Sequence, residues 1–116
     1  MIVAVPVHAD GTLDPRWGRA QRLAIADVGD GEVVDWAEHE VGWGEAHDEG
    51  PEGSHHARIA RFLRDHDVEA VVADHMGAGM RQMLAKMQLH VVLGAEGDAR
   101  AAAAAAWSTT GETQAP

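Results

Sequence analysis

The chain has 116 residues, enough for one domain with a modest core and too few for two. A formal net charge of −10 argues against nucleic acid and anionic membrane as partners, because phosphate binding draws its affinity from clustered Lys and Arg. The absence of cysteine excludes disulfides, thiolate catalysis and cysteine-held clusters, so any soft metal ligand has to be His or Met.

Residues 2–7, Ile-Val-Ala-Val-Pro-Val, form an apolar run suited to a buried strand, with Pro6 near its end, where a missing ladder donor is tolerated. The run is too short for a signal peptide and has no basic flank, and no apolar stretch nears the roughly 20 residues that span a bilayer, which places the protein in the cytoplasm. A loop of Gly, Asp and Pro leads through Gly18 to a second strand over residues 22–28. Gly29-Asp30-Gly31 is a short turn, and residues 32–41, with Val33, Val34 and Trp36, complete an antiparallel hairpin. Residues 42–53 are polar, acidic and Gly-rich, a length that points to a lid or local disorder, with a solvated linker as the plainer alternative.

Ser54 can cap the next helix, in which Ile59, Phe62 and Leu63 recur at helical spacing to about His66 while Arg58, Arg61 and Arg64 face elsewhere. Residues 68–74 read as another buried strand. Gly77-Ala78-Gly79 opens a helix carrying Met80, Met83, Leu84 and Met87, a stripe whose repeat is that of core packing, with Met80 nearest the helix start. Residues 90–93 form a final short strand, and residues 94–97 a turn. An alanine-rich helix then runs from Asp98 to Trp107, ending the domain at residues 1–107, and residues 108–116 are expected to be a flexible tail.

The element order is β-β-β-α-β-α-β-α. Helical crossovers make the first, fourth and fifth strands parallel in right-handed units, and the hairpin adds two strands on one side. With the first strand in the middle, the α/β sheet has order 3-2-1-4-5, the arrangement of ribonuclease H-like sheets, with three helices. Its first and fourth strands send their connections in opposite directions, and ligands favour the crevice beyond the carboxyl ends of strands at such a switch point.

Histidines gather in the segments that meet there. The chain has 8 of them. His8 ends the first strand, and Asp74-His75 ends the fourth. The helix opening at Ser54 must begin at the same edge, which brings His55 and His56 to it, and a helix N-terminus disfavours the imidazolium and so keeps these rings neutral and able to ligate. His8, His75 and one of His55 or His56 are the candidate ligands, with Met76 a soft neighbour. Their spacing matches no compact zinc motif, and a histidine in a loop is more often simply solvent-exposed. Gly77 and Gly79 can offer backbone N–H groups to an anion, although a tight turn explains them as well, and Arg16 and Arg19 can complement an anionic ligand or be ordinary surface arginines. His39, His47, His66 and His90 converge less and are read as surface or structural.

Several of these segments together resemble the dinitrogenase iron-molybdenum cofactor biosynthesis domain, the family of NifX-like and NifB-like proteins. The resemblance runs from about Met1 to Trp107. It rests on Ile2-Val3-Ala4-Val5-Pro6-Val7, on Trp17-Gly18-Arg19-Ala20 where that family has an aromatic-Gly-Arg-Ala segment, and on the hairpin that follows. Ser54-His55-His56, Ala73-Asp74-His75-Met76-Gly77-Ala78-Gly79 and Gly94-Ala95-Glu96-Gly97 complete it. It implies a ribonuclease H-like sheet and a role in carrying or inserting iron-sulfur or iron-molybdenum type clusters, held noncovalently and partly through the histidine matched by His55 or His56. A histidine often precedes the aromatic-Gly-Arg-Ala segment in the family, and here Arg16 takes that place.

The expected function is therefore a non-catalytic carrier for such a cluster, or for a single transition metal ion, working with a metal-delivery protein. Two-metal hydrolysis needs clustered carboxylates, one of them on the first strand, and residues 2–7 contain none. No nucleophile elbow accompanies the missing cysteine. The alternative is a metal-free interaction or regulatory module, in which the acidic loop and exposed histidines contact a protein partner.

Overall fold

The computed structural model describes residues 1–46 and 52–114. Its five strands are β1 (Ile2–Pro6), β2 (Arg22–Gly29), β3 (Glu32–Glu40), β4 (Ala70–Val72) and β5 (His90–Val92). They form one mixed sheet of order β3-β2-β1-β4-β5, the order expected from the sequence. β1 pairs antiparallel with β2 and parallel with β4, and β4 pairs parallel with β5.

Three helices cover the two faces: α2 (Glu52–Asp65), α3 (Ala78–Lys86) and α4 (Ala99–Gln114). A single turn of helix, α1 (Trp43–Ala46), and a 3₁₀ turn at Trp17–Arg19 complete the structure. The period of 2 along each strand sorts the side chains. Val3, Val5, Ala24, Ala26, Val28, Ala70 and Val72 are buried with Ala99, Ala103 and Ala106 of α4. Ala4, Leu23 and Val71 are buried on the other face with Ile59 and Leu63 of α2 and Met80 and Leu84 of α3. Burial on both faces explains why β1 is apolar without alternation.

The hairpin turn has φ of 53° at Asp30 and 79° at Gly31, the paired left-handed geometry that Asp-Gly adopts in two-residue hairpins. On α2, Arg58, Arg61 and Arg64 are exposed opposite the buried stripe, as the periodicity predicts. Met80 is buried, while Met76, Met83 and Met87 pack against the same core, so the methionine stripe is packing.

Three expectations differ from the structure. Residues 42–53, expected as a lid, local disorder or linker, contain α1, which buries Trp43 on the core, and the first two residues of α2, while residues 47–51, His47 among them, lie outside the described residues. Ser54 lies within α2 and not at its cap position, because the helix begins two residues earlier at Glu52. Nor does the last helix stop at Trp107. It continues to Gln114, since no proline interrupts it before Pro116 and the helix propensity of the alanine run carries it forward. No helix among the described residues is long and apolar enough to cross a membrane.

Candidate functional site

Beyond Val7 the chain folds back on itself. The N–H of His8 donates to the Thr12 carbonyl at 2.8 Å, that of Gly11 donates to the His8 carbonyl at 3.0 Å, and Val7 bridges Leu13. The returning segment is tied to the loop before α4: Leu13 N–H donates to Gly97 O at 2.7 Å, Ala99 N–H to Gly11 O at 3.0 Å, and Thr12 bridges Asp98. The N–H of Asp14 then donates to Pro6 O at 3.0 Å, which draws Asp14 under the end of β1, where it is 1% exposed.

A buried carboxylate needs partners, and Arg16 supplies them. Its backbone N–H and Nε donate to Asp14 Oδ1 at 2.9 and 3.1 Å, and its Nη2 donates to Oδ2 at 3.2 Å. Burial alone would raise the Asp14 carboxyl. The side-chain and backbone hydrogen bonds from Arg16 and its charge, with a smaller contribution from His8, outweigh that and hold it below the ordinary carboxylate value. His8 Nδ1 stands 3.8 Å from Asp14 Oδ2, an ion-pair distance when the ring is protonated and too long for a hydrogen bond. Sequence reasoning missed Asp14, because one aspartate in a Gly- and Pro-containing loop reads as turn chemistry. The available signal was its two-residue spacing from Arg16.

From Arg16 the chain crosses to the end of β4, where its backbone bridges that of His75 in parallel. The His75 ring is largely exposed, with Nδ1 3.6 Å from Asp74 Oδ2. The 3₁₀ turn follows, anchored by buried Trp17, whose ring meets Trp43 edge-on at 5.4 Å and 70°. Gly18 turns its carbonyl inward to His55 Nε2 at 2.7 Å. An oxygen acceptor at that distance requires that Nε2 carry the proton. His55 is 2% exposed, so this histidine pegs the 3₁₀ turn to α2 and does not face solvent.

His56, one residue on, is half-buried beside α3: a Cβ built on Gly79 would lie 3.4 Å from its Cε1. Gly79 thus leaves the space that the ring borders, and Gly77 precedes the first residue of α3 in extended conformation. Met76 is half-buried and packs against the core, while Arg19 is exposed, its carbonyl facing Gly44 of α1. The edge therefore gathers His8, Arg16, His75, His56, Gly77 and Gly79 around the carboxyl ends of β1 and β4. Among the described residues, no three His, Asp or Glu side chains stand together as a ready-made metal site.

Fold and edge together define a small three-layer α/β domain with polar groups along the carboxyl ends of β1 and β4 in a mixed sheet. The chain belongs to the dinitrogenase iron-molybdenum cofactor family, whose model matches residues 1–109. No curated protein matches it. Among solved structures it is similar to PH0822, with a TM-score of 0.69 at 20% identity over 96% of this chain and 92% of that one. It is also similar to the apo form of the orange protein from Desulfovibrio gigas, with a TM-score of 0.66 at 21% identity, covering 99% of this chain and 90% of that one. A putative NifB protein from Thermotoga, described as belonging to the DUF35 family, has a TM-score of 0.64 at 23% identity, covering 95% of this chain and 88% of that one.

Proposed function

We propose that this protein is a non-catalytic cytoplasmic carrier of an iron-sulfur or iron-molybdenum type cluster, on a fold of the ribonuclease H-like kind, with the cluster as cargo held noncovalently at the carboxyl edge of the sheet. What supports the reading is a chain of neighbours along the carboxyl edge of β1 and β4, in a chain of this family: His8 and Arg16 both reach Asp14, Arg16 bridges His75, and His56 borders Gly79. The dispersed donors suit a pre-formed anionic cluster better than a bare ion. A cluster arrives with its own inorganic ligands, so the protein needs to supply only a few imidazoles and charge-assisted hydrogen bonds.

Each residue has a distinct part. His8 and His75 approach the cargo from the strand ends, and His56 from the start of α2. Arg16 and exposed Arg19 complement anionic charge, and the first backbone N–H groups of α3 after Gly77 add donors. Asp14 fixes Arg16 and stands behind His8, while His55 acts from below by holding the 3₁₀ turn.

Anaerobic reconstitution with iron and sulfide, with and without molybdate, tests this. Wild-type protein should retain a chromophoric cluster after gel filtration, and the combined variant H8A/H56A/H75A should retain several-fold less. Equal retention by the two proteins would refute the edge as the binding place and favour a metal-free interaction module.

A further inference from the structure

Two histidines stand well away from this edge. His39 on β3 pairs with Leu23 of β2, so it lies on the sheet face that Leu23 buries beneath α2. His66 directly follows the last residue of α2. His66 lies ten positions after His56, about 15 Å along a helix axis.

The two rings are half-buried, with centres 4.8 Å apart and planes at 65°. Phe62 packs against both, at 5.6 Å from His39 and 4.3 Å from His66. The packed phenyl ring limits how far either imidazole can swing. His66 Nδ1 lies 2.9 Å from the Phe62 carbonyl oxygen, and an oxygen acceptor requires that Nδ1 carry the proton. The neutral ring then has its lone pair on Nε2, and donation of the other N–H to a backbone carbonyl is how metal-ligating histidines are held.

The spacing fits a shared ion. With metal–nitrogen bonds of about 2.0–2.1 Å and a nitrogen–metal–nitrogen angle between tetrahedral and right-angled, two imidazoles on one ion have ring centres roughly 4.5 to 5.2 Å apart. The observed 4.8 Å falls within that interval. We propose that His39 and His66 form a second, independent site for a single late first-row divalent ion such as Zn(II), Ni(II) or Cu(II), with water completing its coordination. Imidazole suits these ions, and the acidic chain favours a cation. Neighbouring Glu40 is engaged by Arg22 and Gln21, and among the described residues no third His, Asp or Glu joins the pair, so the site is open and exchangeable.

Zn(II) competition against a chromophoric chelator tests the site in a chain whose edge is disabled by H8Q, H56Q and H75Q. That parent should bind one Zn(II) and melt at higher temperature with Zn(II) than without. Adding His39→Gln or His66→Gln should weaken binding at least tenfold and abolish the Zn(II)-dependent melting shift, whereas His90→Gln should change neither. Melting curves without metal show which variants are folded, and His39→Gln, on the edge strand, decides the matter if His66→Gln does not fold. Failure of the parent to bind Zn(II), or undiminished binding by a folded His39→Gln variant, overturns the proposal.

Discussion

Gly44→Ala sets two physical effects of opposite sign against each other. Gly44 lies in the single turn of α1, where alanine is favoured over glycine by about 0.8–1.0 kcal/mol of helix propensity. Its position in the fold reverses the expectation. A Cβ built there would lie 2.8 Å from the Arg19 carbonyl oxygen and 3.7 Å from its carbon, and backbone cannot rotate away as a flexible side chain can. Relief requires α1 to move several tenths of an ångström off the 3₁₀ turn. That strains the bond from Trp43 N–H to Ala20 O at 2.9 Å and the edge contact between Trp17 and Trp43. Overpacking of this kind costs about 1–3 kcal/mol, which exceeds the propensity gain for most of that range. We expect a net loss of up to about 2 kcal/mol, seen as a drop in Tm of up to roughly 8 °C for a domain of this size. Thermal and urea melts check it, with Gly29→Ala as the control, because a Cβ there meets nothing within 4 Å. A Gly44→Ala protein melting at or above wild type would refute the reasoning.

Asp14→Asn should cost about 1–2 kcal/mol at neutral pH, since charge-assisted hydrogen bonds are lost to an arginine that is itself largely exposed. The pH dependence follows from the lowered Asp14 carboxyl: the unfolded chain binds the proton more readily, so this group's stabilisation is complete above an unfolded value of about 3.9 and disappears as pH falls through the folded one. Urea midpoints measured from neutral to acid pH should therefore fall less steeply for Asp14→Asn than for wild type; parallel curves would contradict the assignment. His55→Ala should destabilise by about 2–3 kcal/mol through the lost bond to Gly18 and the space left behind, and His55→Gln by less, because its amide can still donate. Identical urea midpoints for the two variants would deny the bond its role.

The sheet was legible because its signals are local and mutually consistent. The apolar run of β1, the Asp-Gly turn and the periodicity of α2 each select one element, and chain connectivity then leaves few ways to order five strands. Short or weakly patterned elements were not legible. Four residues of α1 are too few to show a period, and its existence depends on a pocket for Trp43 built from distant parts of the chain. The end of α4 escaped for the opposite reason, since polar residues after Trp107 remove the amphipathic signal without removing the ability to stay helical.

Sequence topology brought the ends of β1 and β4 and the start of α2 to one edge but could not assign inner and outer positions. His55 and His56 are adjacent, yet successive helical side chains point about 100° apart, so one is buried against Gly18 and the other borders Gly79. Which does which depends on the 3₁₀ turn crossing over α2, a tertiary fact. The burial of Asp14 likewise depends on the loop folding back to Pro6. The pairing of His39 with His66 joins residues from different elements that no sequence spacing connects.

The two backbone bonds between the first loop and the start of α4 run in opposite directions, from Leu13 to Gly97 and from Ala99 to Gly11. They make the loop a hinged rim fastened to a helix. That helix is held against the sheet by Ala99, Ala103 and Ala106, whose small side chains let it lie close. While both bonds hold, the rim keeps the place that the packed amino end of α4 gives it. The first loop and the amino end of α4 thus share one backbone frame, and the position of His8 is set by a helix that carries no histidine itself.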